Sequence, residues 1–545
     1  MSSGERWGTR VGLVLAMAGN AVGLGNFLRF PAQAAQNGGG AFLIPYLIAF
    51  LLMGIPLLWV EWAIGRHGGQ YGHHSAPGMF DRMGRYRWLK YVGVFGLFTN
   101  LTVAAYYCYI ESWTLSYVWH SLIGTFRDLA PTEFFPRYLG MHENSIFALP
   151  MQALFWFVLT LALNVWILSR GLAKGVETAA KIGMPLLLLF GVILAIRGLT
   201  LGADDPGVVQ SPLVGLNFVW QPQLGGLLNP TTWLAAAGQI FFTLSVGMGS
   251  IHCYAAYVKQ KQDIALNAAA AGWMNEFVEV VLGGSILIPI ATAYLGLQTV
   301  QAATAGGSGF GLGFLTLPTL FNNWGWFAPV AGALWFGLLF FAGITSSLAM
   351  GQPILAFLED EFGMRRIRAA LAFGVTTLLL GFVCVWLYPG GSFDEFDFWS
   401  GTFALVVFAL GESIIFAWIF GMDRGWDEIT RGSDIVVPRV FRFVIRFITP
   451  VFILLVFTGA LIKPVGRWGA AVRSLFVGDG WPWAPESVIG RVFHVGEQNY
   501  QWLDAQGHFT HGFVQDMTRA LLLLVFLGCA ALVWKAWRLK ARRVA

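Results

Sequence analysis

The sequence predicts an all-α integral membrane protein with twelve transmembrane helices, built as a 5+5 inverted repeat in which helices 1 and 6 are broken. Three observations predict it: a scarcity of charge, a series of apolar runs of spanning length, and a Val-Gly-x-Gly motif that recurs five runs apart. Of 545 residues, 56% are hydrophobic and 12% charged. A soluble domain carries about 25% charged residues, so this chain has too little polar surface for a water-facing globule. The 24 Trp and 46 Phe suit a lipid-facing surface with aromatic belts. The net charge of +5 is spread over short loops, which argues against a nucleic-acid partner.

A spanning helix needs roughly 20 apolar residues. Candidates centre near residues 22, 52, 104, 157, 185, 245, 280, 342, 376, 408, 451 and 525. Longer polar stretches fall at 122–146, 199–230, 297–325 and 464–512. If the N-terminus is cytoplasmic and the chain alternates sides, most of the 34 Lys and Arg residues fall inside. The groups at Arg82–Lys90, Arg365–Arg368 and Lys535–Arg543 illustrate the bias, which follows the positive-inside rule. The expected location is the cell inner (plasma) membrane, multi-pass, with both termini cytoplasmic. The first apolar stretch runs from near Gly8 into Arg29 and does not read as a cleavable signal peptide. The expected units are residues 1–200 (spans 1–5), 201–425 (spans 6–10, inverted because five is odd) and 426–545 (span 11, a long outer loop and span 12).

The first span contains Val22-Gly23-Leu24-Gly25, and the sixth contains Val246-Gly247-Met248-Gly249. Glycine inside a helix costs about 1 kcal/mol relative to alanine. Taken singly, either pair reads as close helix packing. The matched pair reads as two breaks, since irregular backbone at membrane depth is tolerated only where it lines a cavity. Interrupted spans at corresponding places in two repeats point to a transporter binding site. A helix N-terminus at such a break attracts a carboxylate, and the freed carbonyls attract an ammonium or Na⁺.

Polar residues recur at this depth: Asn20, Asn26, Thr243, Ser245, Asn275, Thr345 and Ser346. Single Ser and Thr residues usually bond their own helix backbone, but a buried amide must find partners. Glu61, Glu111, Glu276, Glu279 and Glu412 are functional candidates because intramembrane carboxylates are costly. For Glu61 and Glu111 a structural hydrogen-bonded role is favoured. Cys108, Cys253, Cys384 and Cys529 sit in apolar runs and read as small core residues.

These residues also carry a resemblance. Trp7 to Pro31, followed by Gln36-Asn37-Gly38-Gly39-Gly40-Ala41-Phe42, resembles the neurotransmitter:sodium symporter family. So do Tyr106-Tyr107-Cys108-Tyr109-Ile110-Glu111-Ser112-Trp113, Gly238 to Ser245, Phe341 to Ser347, and Asp397-Phe398-Trp399. The likeness covers roughly residues 5–463 and is strongest to the bacterial amino-acid transporters of LeuT-like fold. It fades in 464–512.

The resemblance implies sodium-coupled symport of an amino acid by alternating access, with two Na⁺ ions and no enzymatic activity. The first ion site would use the Ala21 carbonyl, Asn26, Thr243, Asn275 and the substrate carboxylate. The second would use carbonyls of Gly19, Val22 and Ala342 with the hydroxyls of Thr345 and Ser346. The substrate carboxylate would meet the Leu24 and Gly25 amides and the Tyr107 hydroxyl. Its ammonium would meet the carbonyls of Ala21, Phe242 and Thr243, and Ser245, and its side chain would meet Val103, Tyr107, Phe242, Ser245, Met248, Ser346 and Met350. Asn20 is also expected at the substrate site. A shared carboxylate would explain coupling, because each ligand completes the other's site.

Some positions narrow the expectation. Amine-transporting relatives carry Asp at the position of Gly23, so the cargo here should bring its own carboxylate. A leucine-selective relative has Phe and Ile where this chain has Met248 and Met350, and flexible methionines suit a broader hydrophobic preference. Glu279 stands where chloride-dependent relatives are neutral, so no chloride requirement is expected. Arg29 and Asp397 are expected to pair as an outer gate, with Tyr107 and Phe242 as an aromatic lid. Asp360 and Tyr257 are expected at the inner gate, with Arg6 as a doubtful partner and a solvated loop charge as the plain alternative for Asp360.

His73-His74 reads as a loop pair without carboxylate company. Gly306-Gly307-Ser308-Gly309 reads as a flexible outer loop, since no Lys-Ser/Thr follows as in a phosphate cradle. Arg538 to Arg543 reads as an anchor on anionic lipid. The rival reading is an amino-acid-gated sodium channel or sensor of the same fold without coupled transport. The oligomeric state stays open.

Overall fold

The computed structural model describes residues 5–141, 146–305, 309–496, 500–504 and 506–544. Residues 306–308 of the expected Gly-rich outer loop lie outside the described residues. Among those described the chain is helical, and its β-pairing is limited to two isolated bridges, Pro464–Trp483 and Leu503–Phe509.

The first span is α1 (Arg10–Ala21) and α2 (Leu24–Gln36), bent by 44° at Val22–Gly23. Thr9 caps α1 by accepting the Gly12 amide, which satisfies one of the orphan donors of a helix start. The next spans are α3 (Gly40–Gly69), α4 (Leu89–Leu122), α5 (Met151–Ser169) and α6 (Leu172–Leu199). The sixth is α7 (Pro230–Leu244) and α8 (Ser250–Ala255). Asn229 caps α7 and Pro230 opens it, the residue types favoured at those two positions. Then follow α9 (Ile264–Leu295), α10 (Ala328–Phe362), α11 (Arg366–Trp386), α12 (Ser392–Thr430), α13 (Val440–Leu461) and α14 (His511–Ala541).

Among the described residues, ten helices are long and apolar enough to cross a membrane, and the bent α1/α2 pair makes eleven. α7 and α8 are each too short to cross alone. The expected twelve is consistent with these spans if α7 and α8 form one interrupted span. The protein is thus a multi-pass, all-α membrane protein.

Burial separates the helices. α4 is buried nearly all round and packs along α10, while α14 shows most of its surface. A helix apolar on every face belongs in the core of such a bundle. All four cysteines are buried and free. Residues 464–512, read from sequence as a polar stretch, include the helices Trp468–Val477 and Val488–Val492. Arg491 of the second helix reaches the start of α12, where Glu395 accepts from it at 3.2 Å and from Arg519 of α14 at 2.6 and 3.0 Å.

Candidate functional site

Both expected breaks are present and face each other. At the first, the Gly23 amide donates to Asn26 Oδ1 at 2.8 Å, and the Leu24 amide donates to the Tyr107 hydroxyl at 3.0 Å. Close approach demands glycine here: a Cβ on Gly23 would stand 2.6 Å from the Tyr107 hydroxyl, and one on Gly25 would stand 2.5 Å from the Phe242 ring. At the second, α7 ends in Ser245 with a left-handed φ of 54°, followed by Gly247 at φ 73°. A non-glycine residue in that conformation stores strain of order 1 kcal/mol. The second break is held from both sides. The Gly247 amide donates to Glu61 Oε1 at 2.6 Å, and the Met248 carbonyl accepts Asn100 Nδ2 at 2.6 Å and Thr99 Oγ1 at 3.2 Å.

Between the breaks lies a cavity of about 20 Å³, room for about one water. Its walls include Ala21, Gly25, Val103, Tyr107, Phe242, Thr243, Ser245, Met248, Ser346 and Met350, as expected. Gly23, Asn26, Tyr106 and Gly401 also line it. Leu24 stands at the site through its backbone amide, the group expected there, which donates to the Tyr107 hydroxyl. One expected contact differs. The Asn20 side chain turns away, its Oδ1 accepting from Ser250 at 3.1 Å, while its carbonyl accepts from Ser245 at 2.9 Å.

The residues expected at the first ion site converge. Asn26 Nδ2 donates to Asn275 Oδ1 at 2.8 Å and Thr243 Oγ1 at 3.1 Å, and Asn275 Nδ2 reaches Thr243 at 3.0 Å. Glu279 joins the same knot: Oε2 accepts from Thr243 and, at 3.2 Å, from Asn26, while Oε1 accepts from Gln239. All five side chains are buried. Gln239 was not singled out from sequence, although it stands four residues before Thr243 and so on the same helix face. Asn275 and Glu279 have the same spacing. A π-helical segment, Phe277–Gly283, starts within this knot, and such segments often mark functional sites.

The second set also gathers. Ser346 Oγ donates to the Gly19 carbonyl at 3.1 Å and the Ala342 carbonyl at 3.2 Å, and Thr345 Oγ1 donates to Ala342 at 3.2 Å. A Cβ on Gly19 would meet Thr345 Cβ at 2.9 Å. Val22 caps the end of α1, its amide donating to the Ala18 carbonyl at 2.6 Å.

The gates differ from expectation in their partners. Arg29 and Asp397 line one cavity of about 200 Å³ with Phe242 and Tyr107, yet they are not joined. The Arg29 guanidinium lies 4.5 Å over the Phe242 ring, and Asp397 accepts the Tyr106 hydroxyl at 2.8 Å. At the other end, Asp360 is no solvated loop charge. It sits in the last turn of α10 and accepts the His74 amide at 2.7 Å, with the His74 ring 3.1 Å away. That ring stacks on Tyr257 at 4.3 Å. His73 faces Glu361 at 3.1 Å. The reading of this pair as lacking carboxylate company is therefore corrected; its partners lie 286 and 288 residues away in sequence. Arg6 forms no ion pair among the described residues. Arg366 stands at this end instead, reaching Glu5 at 3.1 Å and, through Gln352, the Tyr257 hydroxyl.

The favoured structural roles of Glu61 and Glu111 agree with their bonds. Glu61 holds Gly247, and Glu111 accepts Asn164 Nδ2 at 3.0 Å.

A model of the sodium:neurotransmitter symporter family matches residues 4–129 and 123–470. An uncharacterized sodium-dependent transporter of Methanocaldococcus jannaschii is 30% identical over 457 residues, covering 82% of this chain and 89% of that protein. Sodium-dependent nutrient amino acid transporter 1 of Drosophila melanogaster is 27% identical over 507 residues, covering 84% and 77%. The crystal structure of MhsT in complex with L-phenylalanine is similar at a TM-score of 0.71 and 31% identity, covering 83% of this chain and 99% of that one.

Proposed function

Because the chain belongs to the sodium:neurotransmitter symporter family, we propose that it carries a hydrophobic neutral amino acid with two Na⁺ ions, by alternating access and without chloride. The observation that carries this reading is the lining of the central cavity, which contains no charged side chain. A cargo with one net charge would lack a counterion there, whereas a zwitterion brings both signs. Its carboxylate fits the N-terminus of α2 at Leu24 and Gly25, where the backbone dipole is positive. Its ammonium fits the carbonyl end of α7 and Ser245. The carboxylate also completes the Asn26–Thr243–Asn275 oxygen set, which supports sodium coupling. Glu279, bonded within that set, supplies a negative charge of the chain's own and so supports chloride independence.

Met248 and Met350 in the wall favour large apolar side chains, and the likeness to a phenylalanine-bound relative agrees. The repeats are proposed as residues 1–200 and 201–425, with both termini cytoplasmic and the Arg29 side facing out. The test is competition for sodium-dependent binding to the purified protein. Leucine, methionine, phenylalanine and tryptophan should compete well and glycine poorly. Competition by glycine or alanine alone would overturn the proposed specificity.

A further inference from the structure

Outside the transport cavity, one cluster of titratable side chains lies in the interior with its polar atoms unpartnered. Glu61 on α3, His252 on α8 and Glu412 on α12 are fully buried, and one ligand atom from each lies within 4.8 Å of the others. The imidazole lies beside both carboxylates: Nε2 is 3.2 Å from Glu412 Oε2, and Nδ1 is 4.0 Å from Glu61 Oε2. Neither approach is aligned as a hydrogen bond. Glu61 Oε2, both Glu412 oxygens and both ring nitrogens have no hydrogen-bond partner. No Lys or Arg pairs with either carboxylate among the described residues.

The surroundings bring no further charge. Phe80 and Phe408 close edge-on over the imidazole at 5.9 and 5.8 Å. α4 presents the neutral Asn100. The other titratable groups of α1, α3 and α10, which pack on α8, are engaged elsewhere: Arg10 with Asp434, Arg66 with Glu428, His67 with the Tyr71 and Phe420 rings, Glu359 with Arg366, Asp360 with His74 and Glu361 with His73. Glu61 and Glu412 are the titratable groups that face His252.

With both carboxylates ionised and the imidazole neutral, the cluster would hold two uncompensated charges in a dry interior, a costly state. Two protons taken from solvent bring it to neutrality. The two carboxyl groups and the ring are the groups that can hold them. A metal held by one atom from each residue is the rival occupant. The cluster also touches the break: Glu61 Oε1 accepts the Gly247 amide at 2.6 Å. That bond is stronger to a carboxylate than to a neutral carboxyl.

We propose that Glu61, His252 and Glu412 form a proton-binding site whose occupancy sets how firmly the break of the sixth span is held, making a proton a further ligand of the carrier. The proposal goes beyond the sodium and amino-acid reading and does not depend on it.

Infrared difference spectra between acid and alkaline pH, taken on the purified full-length protein, test it together with metal analysis and the pH profile of amino-acid binding. A protonated-carboxyl band that is lost in E412Q or E61Q is expected, with a pH profile of binding that shifts or flattens in H252Q. A band unchanged in both glutamine variants, or a stoichiometric divalent metal in the wild-type protein that H252Q loses, would overturn the proposal. If H252Q does not fold, the E412Q band and the wild-type metal content decide. The infrared readout needs no transport, so failure of uptake with the band present counts against the transport reading alone.

Discussion

Asn26 Nδ2 donates to Asn275 Oδ1 at 2.8 Å across 249 residues of sequence. This bond ties the break of the first span to the seventh span and draws Thr243, from the second break, into the same knot. Ion occupancy at these oxygens would therefore bear on both breaks at once, which is a physical route for coupling ion to cargo.

Gly23→Ala should abolish amino-acid binding while leaving the fold intact. The added Cβ would stand 2.6 Å from the Tyr107 hydroxyl and 3.1 Å from Ser346 Oγ, displacing both from the carboxylate end of the site. Calorimetry should read an affinity loss of at least about 100-fold, roughly 2.7 kcal/mol. Unchanged affinity would place the cargo elsewhere.

Glu279→Ser should make uptake depend on chloride. The wild-type protein should transport equally in chloride and gluconate, because the carboxylate bonded to Asn26 and Thr243 supplies the charge. The variant should lose most of its uptake in gluconate and recover in chloride. Loss of wild-type uptake in gluconate would contradict the assignment.

Asp360→Ala should loosen the inner end. It removes the acceptor of the His74 amide and ring and leaves the Tyr257 stack without its anchor. A cysteine placed on the inner side of the cavity should react faster with an aqueous thiol reagent, and substrate affinity should fall. No change in reactivity would show that another contact, such as Arg366 with Glu5, holds that end.

Glu428→Gln should destabilise the protein by about 3 kcal/mol, since removing one partner strands a buried charge. Arg66 is almost fully buried and donates to Glu428 Oε1 at 2.8 Å and to the carbonyls of Gln262 and Arg431. Thermal unfolding in detergent checks this. Replacing both partners with apolar residues should recover part of the loss.

The breaks were legible in the sequence because paired glycines inside apolar runs contradict a helix. Asn26, Thr243, Asn275 and Glu279 were legible because polar groups at membrane depth need a reason. Partners distant in sequence were not. His73 and His74 gave no sign of Glu361 and Asp360, which α10 brings in from 288 and 286 residues away in sequence. Arg29 lies over an aromatic ring rather than on its expected carboxylate, and charge patterns do not reveal a cation–π partner. His252 was missed because one histidine in an apolar run looks like any core residue until Glu61 and Glu412 are seen around it. The sixth span escapes a length criterion because its break leaves two short helices.

The most direct test of sodium-coupled carriage is radiolabelled uptake of phenylalanine or leucine into proteoliposomes, with and without an inward sodium gradient. The account predicts accumulation above equilibrium that requires the gradient and collapses when sodium is equal on both sides. Sodium-independent uptake of every amino acid tested, or a sodium conductance opened by amino acid without accumulation, would contradict it.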